Sequence, residues 1–165
     1  MATSSRFSDI CRAAGTGALA GLIGAGVMTV GEKAEQAITG RRTSYVPARA
    51  LLTLLGQRPA NDAKPFLWNH LMHYCTGASL GALRGVWAAT GIRGLHANIW
   101  HTVMRLGFDQ TIENATGAGS PPKTWPAEEK AVDVLHKTIF SLVTGMVADR
   151  MLPPRLASDR GRSSH

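Results

Sequence analysis

A run of nineteen residues without a charged side chain, from Ala13 to Gly31, constrains this chain more than any other segment. Six of the nineteen are glycine. As a helix rising about 1.5 Å per residue, the run would be about 28 Å long, close to the thickness of a bilayer's hydrocarbon core. Glycine weakens a helix in water by about 0.5–1 kcal/mol relative to alanine, but it lets helices approach closely in lipid. The run therefore predicts a tightly packed membrane helix.

Composition bounds the rest of the chain. Its 165 residues are the size of one domain, 44% of them are hydrophobic, and the mean hydropathy is −0.03. This hydropathy is low for a protein embedded throughout in lipid, so polar links must join the spans or the chain is a soluble helical bundle. The net charge of +7 suits anionic lipid headgroups or nucleic acid. Basic residues come at most in pairs, without interleaved aromatic residues, and we predict no nucleic-acid partner.

Four apolar stretches predict four long helices, and no stretch alternates with a period of two over the length of a strand. Proline and glycine lie where helices begin and end, as Pro65 and Gly91 do around the second stretch. We therefore expect an all-α chain. The predicted helices cover about Ala13–Ile38, Phe66–Thr90, Leu95–Asn114 and Ala127–Met151.

The links between these helices differ in length. Only 91–94 separates the second helix from the third, which forces an antiparallel pair. A leucine-rich stretch behind Pro47 predicts a short amphipathic helix in the first long link. The expected fold is thus an antiparallel four-helix membrane bundle with that short helix. We expect residues 1–152 to form a single helical membrane domain and 153–165 a disordered polar tail.

Glycines recur at a spacing of four in the second helix, at Gly77, Gly81 and Gly85. Gly17 and Gly21 have the same spacing in the first helix, and this small-xxx-small pattern is typical of close helix crossings. Helices one and two are therefore expected to pack through glycine, and the glycine faces could also join copies of the chain in a homo-oligomer. The face of helix one expected to pack on helix two contains Gly17, Gly21, Gly24, Met28 and Gly31.

Polar residues in the third helix follow spacings of three and four, which places them on one face. They are Asn98, His101, Arg105, Asp109 and Glu113. Arg105 and Asp109 are spaced for an ion pair along the helix. In a soluble bundle this face would be solvated. In a membrane bundle it must point inward, toward other helices or a wet cavity, and it becomes a candidate functional site.

Histidines and carboxylates are expected to gather at one end of such a bundle. Antiparallel topology brings the end of helix one, the start of helix two, the end of helix three and the start of helix four to one level, covered by both long links. The residues there are Glu32, Glu35, His70, His73, Asp109, Glu113, Asp133 and His136. A structural hydrogen-bond network, a polar pocket or proton relay, and a metal site all remain open. Because the paired Glu-x-x-His pattern of di-iron bundles is absent, we predict no metal and no cofactor.

Three segments carry a family resemblance. They run from Glu35 to Arg49, from His73 to Gly85 and from Asp109 to Lys137, and the second has the pattern His-xxx-Gly-xxx-Gly-xxx-Gly. Together they resemble the small four-helix membrane proteins of bacteria and fungi that include the YagU-type inner-membrane family. The likeness covers most of 13–152. It implies a membrane location and supplies no activity and no catalytic residues.

Three functions remain open from the sequence. The first is a multi-pass integral membrane protein, partnered by the lipid bilayer, that is structural or accessory or handles protons or a small solute. The second is a membrane-embedded biosynthetic enzyme, of isomerase or cyclase type, using acid–base chemistry on a small hydrophobic molecule. The third is a soluble helical bundle. The candidate catalytic residues are His73, Asp109, His136, His70, Arg105 and His101.

Overall fold

The computed structural model describes residues 2–158, with side chains from Arg6 onward. This part of the chain is all-helical and contains no strand, which confirms the predicted class. One 3-10 turn, Pro122–Thr124, accompanies the α-helices. The α-helices are α1 (Ala2–Thr39), α2 (Val46–Leu54), α3 (Phe66–Thr90), α4 (Gly94–Ala115) and α5 (Ala127–Met151).

The helix boundaries follow the proline and glycine positions closely. At the end of α3, Gly91 has a φ of 94°, a left-handed conformation that glycine adopts without strain. Pro47 lies in the first turn of α2, where its missing N–H is not needed. The largest difference is at α1, which begins at Ala2 rather than Ala13. No glycine or proline interrupts residues 2–12, so the helix extends upstream of the apolar run.

Glycines form the contact between α1 and α3. Gly17 lies against Gly81 and Gly85, and Gly21 lies against Gly77 and Gly81. A Cβ atom placed on Gly21 would be 2.0 Å from the carbonyl oxygen of Gly77, so no larger residue fits. Rising numbers in α1 meet falling numbers in α3, which means that the two helices run in opposite directions here. These two glycine faces therefore pack against each other within one chain.

Two glycines of the predicted face of α1, Gly24 and Gly31, do not pack on α3, whereas Met28 shares a buried cluster with Leu80 of α3. A Cβ placed on Gly24 would lie 2.1 Å from Thr144 Oγ1 of α5, and one on Gly31 would have no atom within 4 Å. The expectation that these two glycines face α3 was wrong, because α1 packs against both α3 and α5 and one face serves two neighbours. Met28 is buried in a cluster with Phe140 of α5.

Ionic contacts hold the end of the molecule where α3 ends, α4 begins and α5 ends. Arg84 is fully buried, and its Nη2 lies 2.9 Å from Asp149 Oδ2. Arg93 donates hydrogen bonds to the carbonyl oxygens of Asp149 and Leu152. These contacts connect the short α3–α4 link to the last turn of α5.

The predicted polar tail is described as far as residue 158. Leu156 N–H donates a hydrogen bond of 2.9 Å to the carbonyl oxygen of Ala89, and the Leu156 side chain packs against a buried cluster that includes Leu152. The rest of the predicted disordered segment, 159–165, lies outside the described residues.

The interior combines mostly small apolar residues with buried charged and polar side chains, whereas many large apolar side chains lie on the outside. The largest fully buried side chains are Arg84, Phe140, His101, Thr144 and Ser141. Large apolar side chains point outward from every long helix: Val30 on α1 is 70% exposed, Leu67 on α3 79%, Leu95 on α4 68% and Met151 on α5 53%. Buried arginine and lysine side chains, together with so many exposed large apolar ones, are unusual for a water-soluble protein.

Two helical segments are long and apolar enough to cross a membrane, judged by length and composition: Arg6–Thr39 and Ala127–Met151. Among the described residues, α3 and α4 do not meet the same criterion. Two of the four predicted spans therefore qualify by this measure.

Candidate functional site

A cavity of about 460 Å³ lies where α1 and α4 end and α3 and α5 begin. Side chains from all four of these helices line it. The first long link contributes residues between 41 and 49, and the link before α5 contributes residues between 118 and 126. Both long links therefore enclose the cavity.

Four of the six candidate residues line this cavity, and two do not. His73, Arg105, Asp109 and His136 are in its wall. His70 is half-buried outside it, with its ring 4.3 Å from that of Phe66.

His101 also lies away from the cavity, although it shares a helix face with Arg105. It is fully buried one turn deeper, with Nε2 3.1 Å from the carbonyl oxygen of Leu80. Its ring stacks on that of Phe140 at a centroid distance of 5.4 Å. Helical spacing identified the face correctly but carries no information on where along that face the cavity ends.

A buried ionic network spans α4 and α5 at the cavity wall. Asp109 Oδ2 lies 3.0 Å from Arg105 Nε and 3.4 Å from Lys137 Nζ. Lys137 also pairs with Asp133, one turn earlier on α5. Arg105, Lys137 and Asp109 are 2%, 6% and 9% exposed, so each charge depends on its partners rather than on water. Sequence reasoning missed Lys137, although its spacing of four from Asp133 is a readable signal.

Arg105 is held from its apolar side as well. Its guanidinium carbon lies 4.9 Å from the centre of the Phe140 ring, a cation–π contact. Its Nη1 atom is buried without a hydrogen-bond partner among the described residues. The side chain is thus fixed between Phe140 and Asp109.

Two imidazoles in the cavity wall lack hydrogen bonds to the described part of the chain. His73 Nε2 is 3.9 Å from Glu32 Oε2, too far for a hydrogen bond. Glu32 instead accepts a 2.9 Å hydrogen bond from Gln36 Nε2. His136 is 8% exposed and forms neither a hydrogen bond nor an ion pair with any described residue.

Glu113 is the most isolated charged group of the wall. Its half-buried carboxylate makes no hydrogen bond or ion pair with a residue that the structure describes. Gly119 N–H donates a 3.0 Å hydrogen bond to the Glu113 carbonyl oxygen, so the link folds back over this turn of α4. A Cβ on Gly119 would lie 2.9 Å from Glu113 Cβ, which means that glycine leaves room for the glutamate.

The rim is closed by pairs that connect the links to the helices. Arg41 lies 2.8 Å from Glu35 and 3.6 Å from Glu129, which joins the end of α1 to the start of α5. The hydrogen bond from Arg41 to Glu35 raises the pKa of the Arg41 guanidinium above its ordinary value. Trp125 Nε1 donates a 2.8 Å hydrogen bond to the carbonyl oxygen of Ser120, which orders the second link.

The cavity is not uniformly polar. Apolar side chains contribute to its wall beside the charged groups: Met28, Val46, Met72, Ile112 and Val132. A ligand with both a polar and an apolar part matches such a lining.

No group of three or more His, Cys, Asp or Glu side chains in the described part of the chain is arranged to hold a metal ion. The side chains of the cavity wall can form ion pairs, donate and accept hydrogen bonds and transfer protons.

No family model, no curated protein and no solved structure matches this chain. A function has to be argued from the site and its surroundings.

Proposed function

We propose that this protein is a multi-pass membrane protein in which α1, α3, α4 and α5 form an antiparallel bundle around a polar cavity that binds a small solute. The observation that carries the proposal is the distribution of side chains. Charged side chains such as Arg84, Arg105 and Lys137 are buried in the interior beside small apolar residues, whereas large apolar side chains are exposed on each long helix.

The membrane explains both halves of this distribution. Lipid chains solvate outward-facing leucine, isoleucine and tryptophan, which in water would form an extensive apolar surface. Ionisable residues inside a bilayer face the interior of a helix bundle or a wet cavity and pair there. Arg84 with Asp149, and Arg105 with Asp109, follow this rule.

The low hydropathy of α4 is compatible with a membrane span. Its polar residues Asn98, His101, Arg105 and Asp109 are buried, so they lower the average without facing lipid. Its large exposed apolar side chains are Leu95, Ile99, Trp100, Val103, Met104 and Phe108, and the exposed polar residues His96, Thr111 and Asn114 lie near the ends of the helix. An average hydropathy over all faces of the helix therefore underestimates the hydropathy of the outward-facing surface.

The cavity favours solute handling over a purely structural role. It has a volume of about 460 Å³, within the range of small-molecule sites, and a wall of convergent polar groups beside apolar ones. The glycine-spaced α3 is also the basis of the resemblance to YagU-type membrane proteins, which adds support for the location and none for an activity.

A membrane-embedded acid–base enzyme is the second candidate. One observation favours it: His73 and His136 stand in the same wall as Asp109, and neither imidazole has a hydrogen-bond partner within the described chain. Groups of this kind transfer protons when a substrate comes within hydrogen-bond reach.

Membrane extraction tests the main proposal. Expressed protein should sediment with membranes, remain in the pellet after a high-pH carbonate wash and dissolve in mild detergent. Recovery of a monodisperse protein without detergent would contradict the proposal. The variants His73→Ala and His136→Ala distinguish the two candidates. Both variants should still fold and bind a ligand. If the protein is an enzyme, they should lose turnover while they retain binding.

A further inference from the structure

The charged groups in the cavity wall are unequally partnered. Five carboxylates and four cationic side chains line the cavity. Each cation is bound to the chain's own oxygen atoms: Arg105 and Lys137 to Asp109, Arg41 to Glu35, and Arg49 to the carbonyl oxygen of Asn61. Three of the four cations are therefore paired with carboxylates, whereas Arg49 bonds only a neutral carbonyl oxygen and is the one described cation of the wall without a carboxylate partner.

The unpaired nitrogen of Arg105 does not change this balance. Nη1 has no hydrogen-bond partner among the described residues, but it is buried within the protein and not exposed to the cavity. An anion at Arg105 Nε or at the Lys137 ammonium would compete with Asp109, which already lies against both. An anion would also meet the unpaired carboxylate of Glu113.

Glu113, by contrast, is a carboxylate of the wall that has no cationic partner among the described residues. Its carboxylate stands in the wall without an ion pair or hydrogen bond to the described chain, and Gly119, which lacks a side chain, packs closely against it. A partly buried carboxylate gains most from a cationic partner. His136 is an independent indication of a ligand, because it is a 92% buried imidazole in the same wall that no described residue bonds.

The rest of the wall suits an organic body rather than a bare ion. Met72, Ile112 and Val132 provide apolar surface, and Trp125 provides an aromatic ring. Thioether and aromatic groups make favourable contacts with organic cations. A volume of about 460 Å³ is also much larger than a hydrated metal ion needs.

We propose that this cavity binds a small organic ammonium ion, with the Glu113 carboxylate as its counter-ion and the apolar side chains around its carbon skeleton. This inference rests on the proposed solute-binding role and gives it a ligand class.

Three probes of nearly the same size and different charge test the ligand class. Purified protein in detergent is titrated calorimetrically with 2-phenylethylammonium, 2-phenylethanol and phenylacetate, with empty micelles as the blank. The ammonium should bind about tenfold more tightly than the alcohol, since one charged hydrogen bond is worth at least that factor. Phenylacetate should bind more weakly than the alcohol.

Variants locate the counter-ion. Glu113→Gln should lower ammonium affinity about tenfold, to that of the alcohol, and leave alcohol affinity unchanged. Glu113→Asp should retain part of the preference. Glu128→Gln is the matched control, because Glu128 is exposed in the first turn of α5 and does not line the cavity; it should bind all three probes like the original protein.

Three results would overturn the inference: phenylacetate binding as tightly as the ammonium, an unchanged preference in a folded Glu113→Gln variant, or no binding of any probe. If that variant does not fold, the ranking of the three probes on the original protein still decides. If the protein remains in membranes but shows no preference for the ammonium, only the proposed ligand class is contradicted. If the protein is recovered without detergent, the proposed membrane location is contradicted instead.

Discussion

Asp109 on α4 and Lys137 on α5 form an ion pair across the cavity wall, with Oδ2 and Nζ 3.4 Å apart. Both residues are buried, and the same Asp109 oxygen lies 3.0 Å from Arg105 Nε. One carboxylate therefore neutralises two cations that have little access to water. The α4–α5 contact and the cavity depend on the same group.

Asp109→Asn should destabilise the protein strongly, because it leaves two buried cations with insufficient counter-charge. We expect a loss of about 3–5 kcal/mol in the free energy of unfolding, as found when one partner of a buried ion pair is removed. Unfolding of the purified protein in a graded SDS titration measures the change. Asp62→Asn, at an exposed residue of the first long link, is the control and should change stability by less than about 0.5 kcal/mol. A loss of under about 1 kcal/mol at Asp109 would indicate that the network carries little stability.

Gly81→Ala should force α1 and α3 apart. The added Cβ would lie 2.4 Å from the carbonyl oxygen of Gly17 and 2.6 Å from Gly21 Cα, and both contacts are with backbone. We expect destabilisation of about 1–3 kcal/mol or more, measured in the same SDS titration. Gly26→Ala is the matched control, because nothing lies within 4 Å of its Cβ position. It should be neutral or slightly stabilising, and equal losses in the two variants would argue against the close α1–α3 contact.

Cys75 should be protected by lipid. It is exposed on α3, about 14 Å along the helix from Phe66, so the proposed topology places it against the hydrocarbon. In opened membrane vesicles, a Cys11→Ser protein should resist a membrane-impermeant maleimide and react fully in SDS. An added Asp62→Cys site in the first link should react without SDS. Equal reaction rates at the two sites in vesicles would contradict a spanning α3.

Removing one partner of the buried Arg84–Asp149 pair should destabilise the protein more than removing both. Arg84→Met leaves Asp149 without its main partner and should cost about 3–5 kcal/mol in the free energy of unfolding. Adding Asp149→Leu removes the uncompensated charge and should recover most of the loss. The double-mutant cycle in SDS provides the measurement. A double variant as unstable as the sum of the single variants would mean that the two side chains act independently.

Much of the fold can be predicted from local signals. Glycine and proline positions predicted the ends of α3 and α5, since these residues act through backbone geometry that tertiary contacts rarely override. The start of α1 was missed because the prediction followed hydropathy, whereas helix formation in 2–12 needs only the absence of a breaker. Gly24 was assigned to α3 because periodicity identifies a helix face and not the number of neighbours that share it.

The sequence predicted which end of the molecule holds the polar residues, but not which of their atoms line the cavity. Topology placed His73, Asp109 and His136 at one end, and all three line the cavity. His101 was a candidate because of its place on the polar face of α4, and it lies outside the cavity, with its ring stacked on Phe140. The pairing that leaves Glu113 without a counter-charge depends on distances between helices, which no local pattern encodes.

The links between helices are short at one end of the molecule and long at the other. Only 91–93 connects α3 to α4, and Arg93 fastens this link to the last turn of α5. The long links 40–45 with 55–65, and 116–126, are both at the cavity end. Chain length therefore sets a limit on helix separation at one end and almost none at the other. Chain connectivity therefore restrains the helices less at the end that contains the cavity.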